Sequence, residues 1–204
     1  MQPGGLTVFI VDDDASVRDS LALMLGLAGY RTALFANAEA LLVAWNAEWA
    51  GCVIADLRLP GRSGVELQTE LRNRGSSLPV VIITAHGDVP TARAAFRADA
   101  VDFLEKPFDH AQLREAIEKA FAREQRRLGL EQERAADAAK RAALTPRERE
   151  VLEHAARGLH AKEIAATLGI SPRTVEVHKT RIMEKLGVRN VAELVRFAIA
   201  AGDR

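Results

Sequence analysis

The stretch Thr7-Val8-Phe9-Ile10-Val11-Asp12-Asp13-Asp14 decides how the first half of the chain is read: a short apolar run rich in strand formers stops on three acids. Comparable runs return at Arg31 to Phe35, Cys52 to Ala55, Val80 to Ile83 and Asp102 to Leu104. The segments between them have helical periodicity. The first follows Asp14 as a helix cap, sets Val17, Leu21, Met24, Leu25 and Ala28 on one stripe and stops near Gly29. A second is expected over Ala38 to Ala47 and a third over Val65 to Arg74. A fourth opens at Pro90, a favoured first helical position, and a fifth near His110. Strand and helix in alternation imply a parallel sheet covered by helices on both faces.

Polar residues fall at the carboxyl ends of these strands. Asp12 and Asp13 close the first, Asp56 the third, Thr84 the fourth and Lys106 the fifth. In an open doubly wound sheet that rim is where ligands bind, so residues far apart in sequence are expected to share one pocket. Three carboxylates placed together repel one another unless something positive lies between them. A hard divalent cation such as Mg2+ answers that need, because it takes oxygen ligands and keeps several waters; two carboxylates and one carbonyl suffice.

The whole chain has 204 residues and 22.2 kDa, enough for one large or two small domains, and 48% hydrophobic with 27% charged residues is a globular composition. Its one cysteine, Cys52, excludes an internal disulfide or a cysteine-based zinc cage. No run approaches the roughly 20 apolar residues of a membrane span and no basic-then-apolar leader opens the chain, so a soluble, cytoplasmic protein without a membrane partner is expected. The zero net charge hides an asymmetry: residues 1–120 carry 11 basic and 16 acidic side chains, residues 144–204 carry 11 and 8. An acidic front and a mildly basic back suit a cation-binding module joined to a polyanion-binding one.

Four segments of the front half together resemble the receiver domain of two-component response regulators: Val11-Asp12-Asp13-Asp14, Ala55-Asp56-Leu57-Arg58-Leu59-Pro60-Gly61-Arg62-Ser63-Gly64, Thr84-Ala85 and Asp102-Phe103-Leu104-Glu105-Lys106-Pro107-Phe108. The run Thr84-Ala85-His86-Gly87-Asp88-Val89 is similar to the FixJ-like subgroup. The resemblance implies a flavodoxin-like, doubly wound, five-stranded sheet in which Asp56 accepts a phosphoryl group from a histidine kinase. It further implies that Asp12, Asp13, Asp56 and the backbone carbonyl of Arg58 hold Mg2+. Thr84 and Lys106 would contact the phosphoryl oxygens, the Lys106-Pro107 peptide would be cis, and Phe103 would act as the rotamer switch. His86 and Arg58 flank the acceptor and could influence water access to it.

A rival reading takes Asp12 and Asp14 as the Asp-x-Asp pair of a haloacid-dehalogenase-like phosphatase, the first attacking phosphate and the second serving as acid and base. It leaves Asp56 unexplained.

From His110 to Ala143 helix-forming residues run with Gly129 as the one strong weakener, roughly 50 Å of helix if unbroken. Phe121, Leu128, Ala135 and Ala142 recur every seven residues, which is compatible with a coiled-coil seam, a solvated spacer or a break at Gly129. Glu124 with Arg127, and Asp137 with Arg141, have helical pairing distances. Beyond, Thr145-Pro146-Arg147-Glu148 is a capping box. Helices are expected up to Gly158, over Ala161 to Leu168, from Ser171 to Gly187, and from Asn190 through Ala201. Two short helices about Leu168-Gly169-Ile170-Ser171 form a helix-turn-helix signal, whose second helix enters the major groove.

Leu144-Thr145-Pro146-Arg147-Glu148-Arg149-Glu150-Val151-Leu152, Lys162-Glu163-Ile164-Ala165 and Ser171-Pro172-Arg173-Thr174-Val175-Glu176-Val177-His178 resemble the LuxR-type DNA-binding domain. On the recognition helix Glu176, Val177 and Thr180 are placed to read bases. Lys162, Arg173, Thr174, Lys179, Arg181 and Lys185 suit phosphates. The expected organisation is an N-terminal tail over 1–5, a receiver over 6–120, a helical linker over 121–143 and an all-α, four-helix helix-turn-helix domain over 144–204. Its expected partners are a histidine kinase, double-stranded DNA and, when phosphorylated, a second copy. The dimer face would lie on the fourth helix, fifth strand and fifth helix, with Val89, Arg93, Arg97 and Val101. A relay protein whose tail binds another protein is the alternative from a different class.

Overall fold

The computed structural model describes residues 5–85 and 89–202. The chain forms two compact units, Met1–Leu128 and Gly129–Arg204. In the first, strands β1 (Thr7–Val11), β2 (Arg31–Phe35), β3 (Gly51–Asp56), β4 (Val80–Thr84) and β5 (Asp102–Glu105) alternate with helices α1 (Ala15–Leu27), α2 (Ala38–Ala44), α3 (Gly64–Asn73), α4 (Val89–Arg97) and α5 (His110–Ala142). The strands pair in parallel in the order β2-β1-β3-β4-β5. This is the five-stranded, doubly wound sheet expected, with its switch point between β1 and β3.

Period-2 alternation divides the sheet's side chains between two cores. Phe9, Val11, Val53, Ala55, Val80 and Ile82 meet Leu41, Leu67, Leu71 and Ala95 from α2, α3 and α4. Val8, Ile10, Cys52, Ile54, Val81 and Ile83 meet Leu21, Leu25, Leu113 and Ile117 from α1 and α5. Each fully buried aliphatic side chain contributes roughly 1.5–3 kcal/mol. Strand β3 begins one residue earlier than its apolar run because Gly51 also joins the ladder. It sits opposite Thr7 at φ +146°, and a Cβ there would meet the Thr7 carbonyl oxygen at 1.8 Å, so only glycine fits.

Helix α2 stops at Ala44, three residues short of expectation. Trp45 turns extended, at φ −60° and ψ 138°, and the Asn46 side chain accepts the Glu48 N–H at 2.9 Å, giving the backbone an alternative to the helix. The departure allows the Trp49 ring to stack on Phe9, with centroids 4.1 Å apart.

Gly129 does not interrupt α5, which runs for 33 residues. Phe121 is buried and Leu128 half-buried in the second core, whereas every residue over 130–140 is exposed. The heptad spacing thus begins as ordinary core packing and continues on a solvated helix. Glu124 pairs with Arg127 as expected, through two 2.8 Å bonds, but Asp137 pairs with Lys140 and not with Arg141. Arg141 donates to the Phe197 carbonyl and covers the Phe197 ring instead.

The second unit continues with α6 (Pro146–Ala156), α7 (Ala161–Leu168), α8 (Pro172–Leu186) and α9 (Val191–Gly202). Capping fixes the starts of three of them: Thr145 and Glu148 close a reciprocal box on α6, Ser171 Oγ accepts the Thr174 N–H on α8, and Asn190 accepts from Glu193 on α9. Leu144, Val151, Leu152, Ile164, Val175, Ile182, Leu186 and Leu194 pack into a separate core. Among the described residues no helix is long and apolar enough to cross a membrane.

Candidate functional site

The register of the sheet brings the rim residues together. Val11 lies opposite Ala55, Asp56 opposite Ile83 and Thr84 opposite Glu105, so Asp12, Asp56, Thr84 and Lys106 reach the same level. Lys106 Nζ donates to Asp12 Oδ2 at 2.8 Å and to Asp56 Oδ2 at 2.6 Å. The remaining oxygens are fixed from the main chain: Asp12 Oδ1 accepts the Asp14 N–H at 2.9 Å and Asp56 Oδ1 accepts the Arg58 N–H at 2.8 Å. Asp12 is 1% exposed, Asp56 8% and Thr84 0%, whereas Asp13 is exposed. Burial alone would pull the Lys106 ammonium down; the hydrogen bonds to Asp12 and Asp56 outweigh it and hold its pKa above the usual lysine value.

The Lys106-Pro107 peptide is cis, and the Lys106 N–H donates to the Thr84 carbonyl at 2.6 Å. Phe103 lies opposite Ile82 and packs half-buried against the core that holds Ile82 and Ala95. That is the α4 side of the sheet. Of the residues read as a dimer face, Arg93 and Arg97 are exposed, and Val89 opens α4 with its side chain outside the described residues. Val101, directly before β5, is half-buried and packs against the core beneath α1 and α5. His86 lies outside the described residues.

The geometry disfavours the phosphatase pair. Asp14, its intended acid and base, is the N-cap of α1, and its carboxylate accepts the N–H groups of Ser16 and Val17.

In the second unit α7 and α8 make the expected helix-turn-helix. Arg173, Thr174, Glu176, Val177, Thr180 and Arg181 are exposed on α8, as is Lys162 on α7. Thr180 Oγ1 donates back to the Glu176 carbonyl and Thr174 Oγ1 shares a hydrogen bond with Ser171. Two of the basic residues read as phosphate contacts are engaged within the fold. Lys179 is 8% exposed, with its ammonium 3.3 Å from Glu176, because it falls on the same stripe as Val175, Ile182 and Leu186. Lys185 bonds Glu148 and the Ala143 carbonyl.

Comparison with known proteins gives both halves a family. Residues 8–118 match the response regulator receiver domain and residues 142–198 match the LuxR family of bacterial regulatory proteins. The transcriptional regulatory protein FixJ of Bradyrhizobium diazoefficiens is 43% identical over 195 residues, covering 96% of this chain and 95% of that protein. The C4-dicarboxylate transport transcriptional regulatory protein DctR of Rhodobacter capsulatus is 43% identical over 94% of this chain and 98% of its own. Among solved structures, the response regulator StyR aligns with TM-score 0.85 at 41% identity, over 95% of this chain and 98% of that one. Full-length FixJ from B. japonicum aligns with TM-score 0.60 at 42% identity over 98% of both. The chain belongs to the FixJ-like response regulators. It is a transcriptional regulator with a receiver and a LuxR-type DNA-binding domain, which sets aside both the hydrolase and the protein-binding tail.

Receiver domains bind Mg2+ at the acidic phosphorylation site. Among the described residues no three acidic, histidine or cysteine side chains form a ready-made cage. The donor chemistry nevertheless fits: carboxylate oxygens of Asp12 and Asp56 converge on one positive group, and a magnesium ion that keeps its waters needs few protein ligands.

Two further residues serve this receiver site. Arg18, one turn into α1, donates from Nη1 to the Asp12 carbonyl at 2.6 Å; a basic residue six positions after a strand-end acid was the available signal. Gly64 opens α3 so close to β3 that a Cβ would stand 2.5 Å from the Asp56 carbonyl oxygen. Its place in the quoted Asp56-to-Gly64 segment marked it, but the tight approach is a tertiary fact.

Proposed function

We propose that Asp56 is the phosphoacceptor of this regulator, charged by a histidine kinase, and that its modification controls dimerisation and sequence-specific DNA binding from the cytoplasm. The observation that carries the reading is the 2.6 Å contact between Asp56 and Lys106 at the rim, beside buried Asp12 and Thr84. An aspartate is a modest nucleophile, so transfer to it relies on positioning and on neutralising charge over the phosphoryl oxygens. The Arg58 N–H bond fixes one oxygen of Asp56; the other forms the new O–P bond as the donor's P–N bond breaks. Lys106 supplies a positive charge at the same place. Asp12, Asp13, Asp56 and the Arg58 carbonyl would hold Mg2+, which when bound supplies further neutralisation of the phosphoryl oxygens.

The acyl phosphate adds nearly two negative charges and strong acceptor oxygens. The Thr84 hydroxyl is drawn to them, and Phe103, on the same side of the sheet, turns inward as Thr84 moves. Phe103 has no phenolic hydroxyl to fix the inward state, so a coupling of about 1–3 kcal/mol is expected. Arg93 and Arg97 remain the exposed candidates for a dimer face on α4. On the output side Glu176, Val177 and Thr180 would read bases, while Lys162, Arg173, Thr174 and Arg181 would hold phosphates.

The test is phosphoryl labelling of the full chain and of Asp56→Asn by a histidine kinase or acetyl phosphate with Mg2+, followed by duplex titration. Labelling that disappears in Asp56→Asn, together with tighter duplex binding by labelled wild-type chain, is the expected result. Persistent labelling of the variant overturns the assignment.

A further inference from the structure

The peptide between α5 and α6 is fastened to the recognition helix by one side chain. Lys185, in the last turn of α8, places Nζ 2.7 Å from Glu148 Oε2 and 3.1 Å from the Ala143 carbonyl oxygen. Ala143 is the first residue beyond α5, the helix through which the chain passes from the receiver into the output unit. Glu148 is 3% exposed, and the same Oε2 accepts the Thr145 N–H at 2.8 Å, closing the cap of α6. Leu144, between these attachments, is 2% exposed and its carbonyl accepts Arg149 Nε at 3.2 Å. Residues 143–148 therefore meet α8 through a bond to backbone and a bond to a buried carboxylate.

This arrangement is poorly suited to a phosphate contact. To reach DNA the Lys185 ammonium would have to leave the buried Glu148 carboxylate without its countercharge, held by the Thr145 N–H alone, which is costly. It is well suited to transmission. Ile182 and Leu186, on either side of Lys185, are buried in the output core, so a displaced Ala143 carbonyl must either carry the end of α8 with it or break the bond.

We propose that Lys185 is a positioning residue that couples the end of α5 to the recognition helix, so that the state of the receiver reaches the DNA-reading face. This rests on the phosphorylation-dependent DNA binding proposed above. Only that dependence, and not the contact itself, is borrowed from it.

The experiment uses the full chain, with and without acetyl phosphate and Mg2+. Its probe is a duplex selected from a random pool by the phosphorylated wild-type chain, titrated over a range of salt. The readouts are the ratio of unphosphorylated to phosphorylated Kd and the slope of log affinity against log salt. Lys185→Met is expected to bring the ratio to within about twofold of one while leaving the slope nearly unchanged, and Lys185→Arg, which keeps N–H donors, is expected to restore the ratio. A slope lowered by about 0.9 with the ratio intact makes Lys185 a phosphate contact and overturns the proposal. Equal weakening of both states, as from a merely structural lesion, leaves the ratio unmoved and overturns it as well. Should Lys185→Met fail to fold, Glu148→Gln, which keeps the lysine, is read by the ratio alone: a ratio within about twofold of one is expected, and an unmoved ratio overturns the proposal. A wild-type chain with no phosphorylation-dependent duplex binding instead removes the underlying reading, and is recognised before any variant is made.

Discussion

Lys106 Nζ bridges Asp56 and Asp12, at 2.6 Å and 2.8 Å, although the three residues are drawn from the ends of β3, β1 and β5. The bridge answers the repulsion between two buried carboxylates with a cation from a third strand end. It also places a positive charge where phosphoryl oxygens would gather, so one side chain serves folding and chemistry.

Replacing that cation separates the two services. Lys106→Met is expected to slow both formation and hydrolysis of the Asp56 acyl phosphate, by about a hundredfold, since both transition states spread charge over the same oxygens. Time courses of labelling and of decay check this. A variant that loses label no more slowly than wild type would place the stabilising charge elsewhere.

Two glycines give opposite results on substitution by alanine. At Gly64 the new Cβ would lie 2.5 Å from the Asp56 carbonyl, so Gly64→Ala must shift α3 or β3 at the acceptor. Receiver stability and labelling rate are both expected to fall. At Gly129 nothing lies within 4 Å of the new Cβ and the residue is inside α5, so Gly129→Ala is expected to stabilise that helix by about 1 kcal/mol. Thermal melts followed by circular dichroism and by labelling distinguish the two.

The sheet, its rim and the helix-turn-helix were legible because their signals are local: apolar runs ending on Asp12, Asp56 and Thr84, and caps at Asp14, Thr145 and Ser171. What escaped depends on partners distant in sequence. Lys179 and Lys185 read as solvent-facing cations on a basic helix, but the stripe through Val175, Ile182 and Leu186 carries Lys179 inward, and Lys185 finds a buried acid 37 residues away. Leu128 completes a heptad in the sequence but spends its apolar surface on the receiver core. The early end of α2, at an extended Trp45, lets Trp49 meet Phe9, a contact with no trace in local periodicity.

Glu148 makes the output domain acid-sensitive. Burial pushes its carboxyl up, but the bonds from Lys185 and Thr145 prevail and its pKa lies below the ordinary glutamate value of about 4.3. A depressed folded-state pKa gives stability that is present above the unfolded value and lost as pH falls through the folded one. The isolated pH effect is modest, because the Lys185 side chain is 36% exposed and screened by solvent. Melts of the full chain between pH 7 and pH 3, monitored at the output domain, are expected to show the loss below about pH 4, with a flatter profile for Glu148→Gln. Identical profiles would mean that other carboxylates govern acid unfolding.

The exposed face of α8 separates positioning from reading. Arg173 and Arg181 are exposed cations, so Arg173→Ala or Arg181→Ala is expected to weaken binding to all duplexes alike and to lower the salt slope by about 0.9 for each phosphate lost. Glu176 and Val177 are exposed beside them but carry no positive charge that would release counterions. Glu176→Ala is expected to leave the slope near wild type while reducing discrimination at one base pair by about 1–3 kcal/mol. Titrations against a selected duplex and its single-base variants, each at several salt concentrations, resolve the two classes. Equal salt slopes for Arg173→Ala, Arg181→Ala and wild type would show that α8 presents a different face to the phosphates.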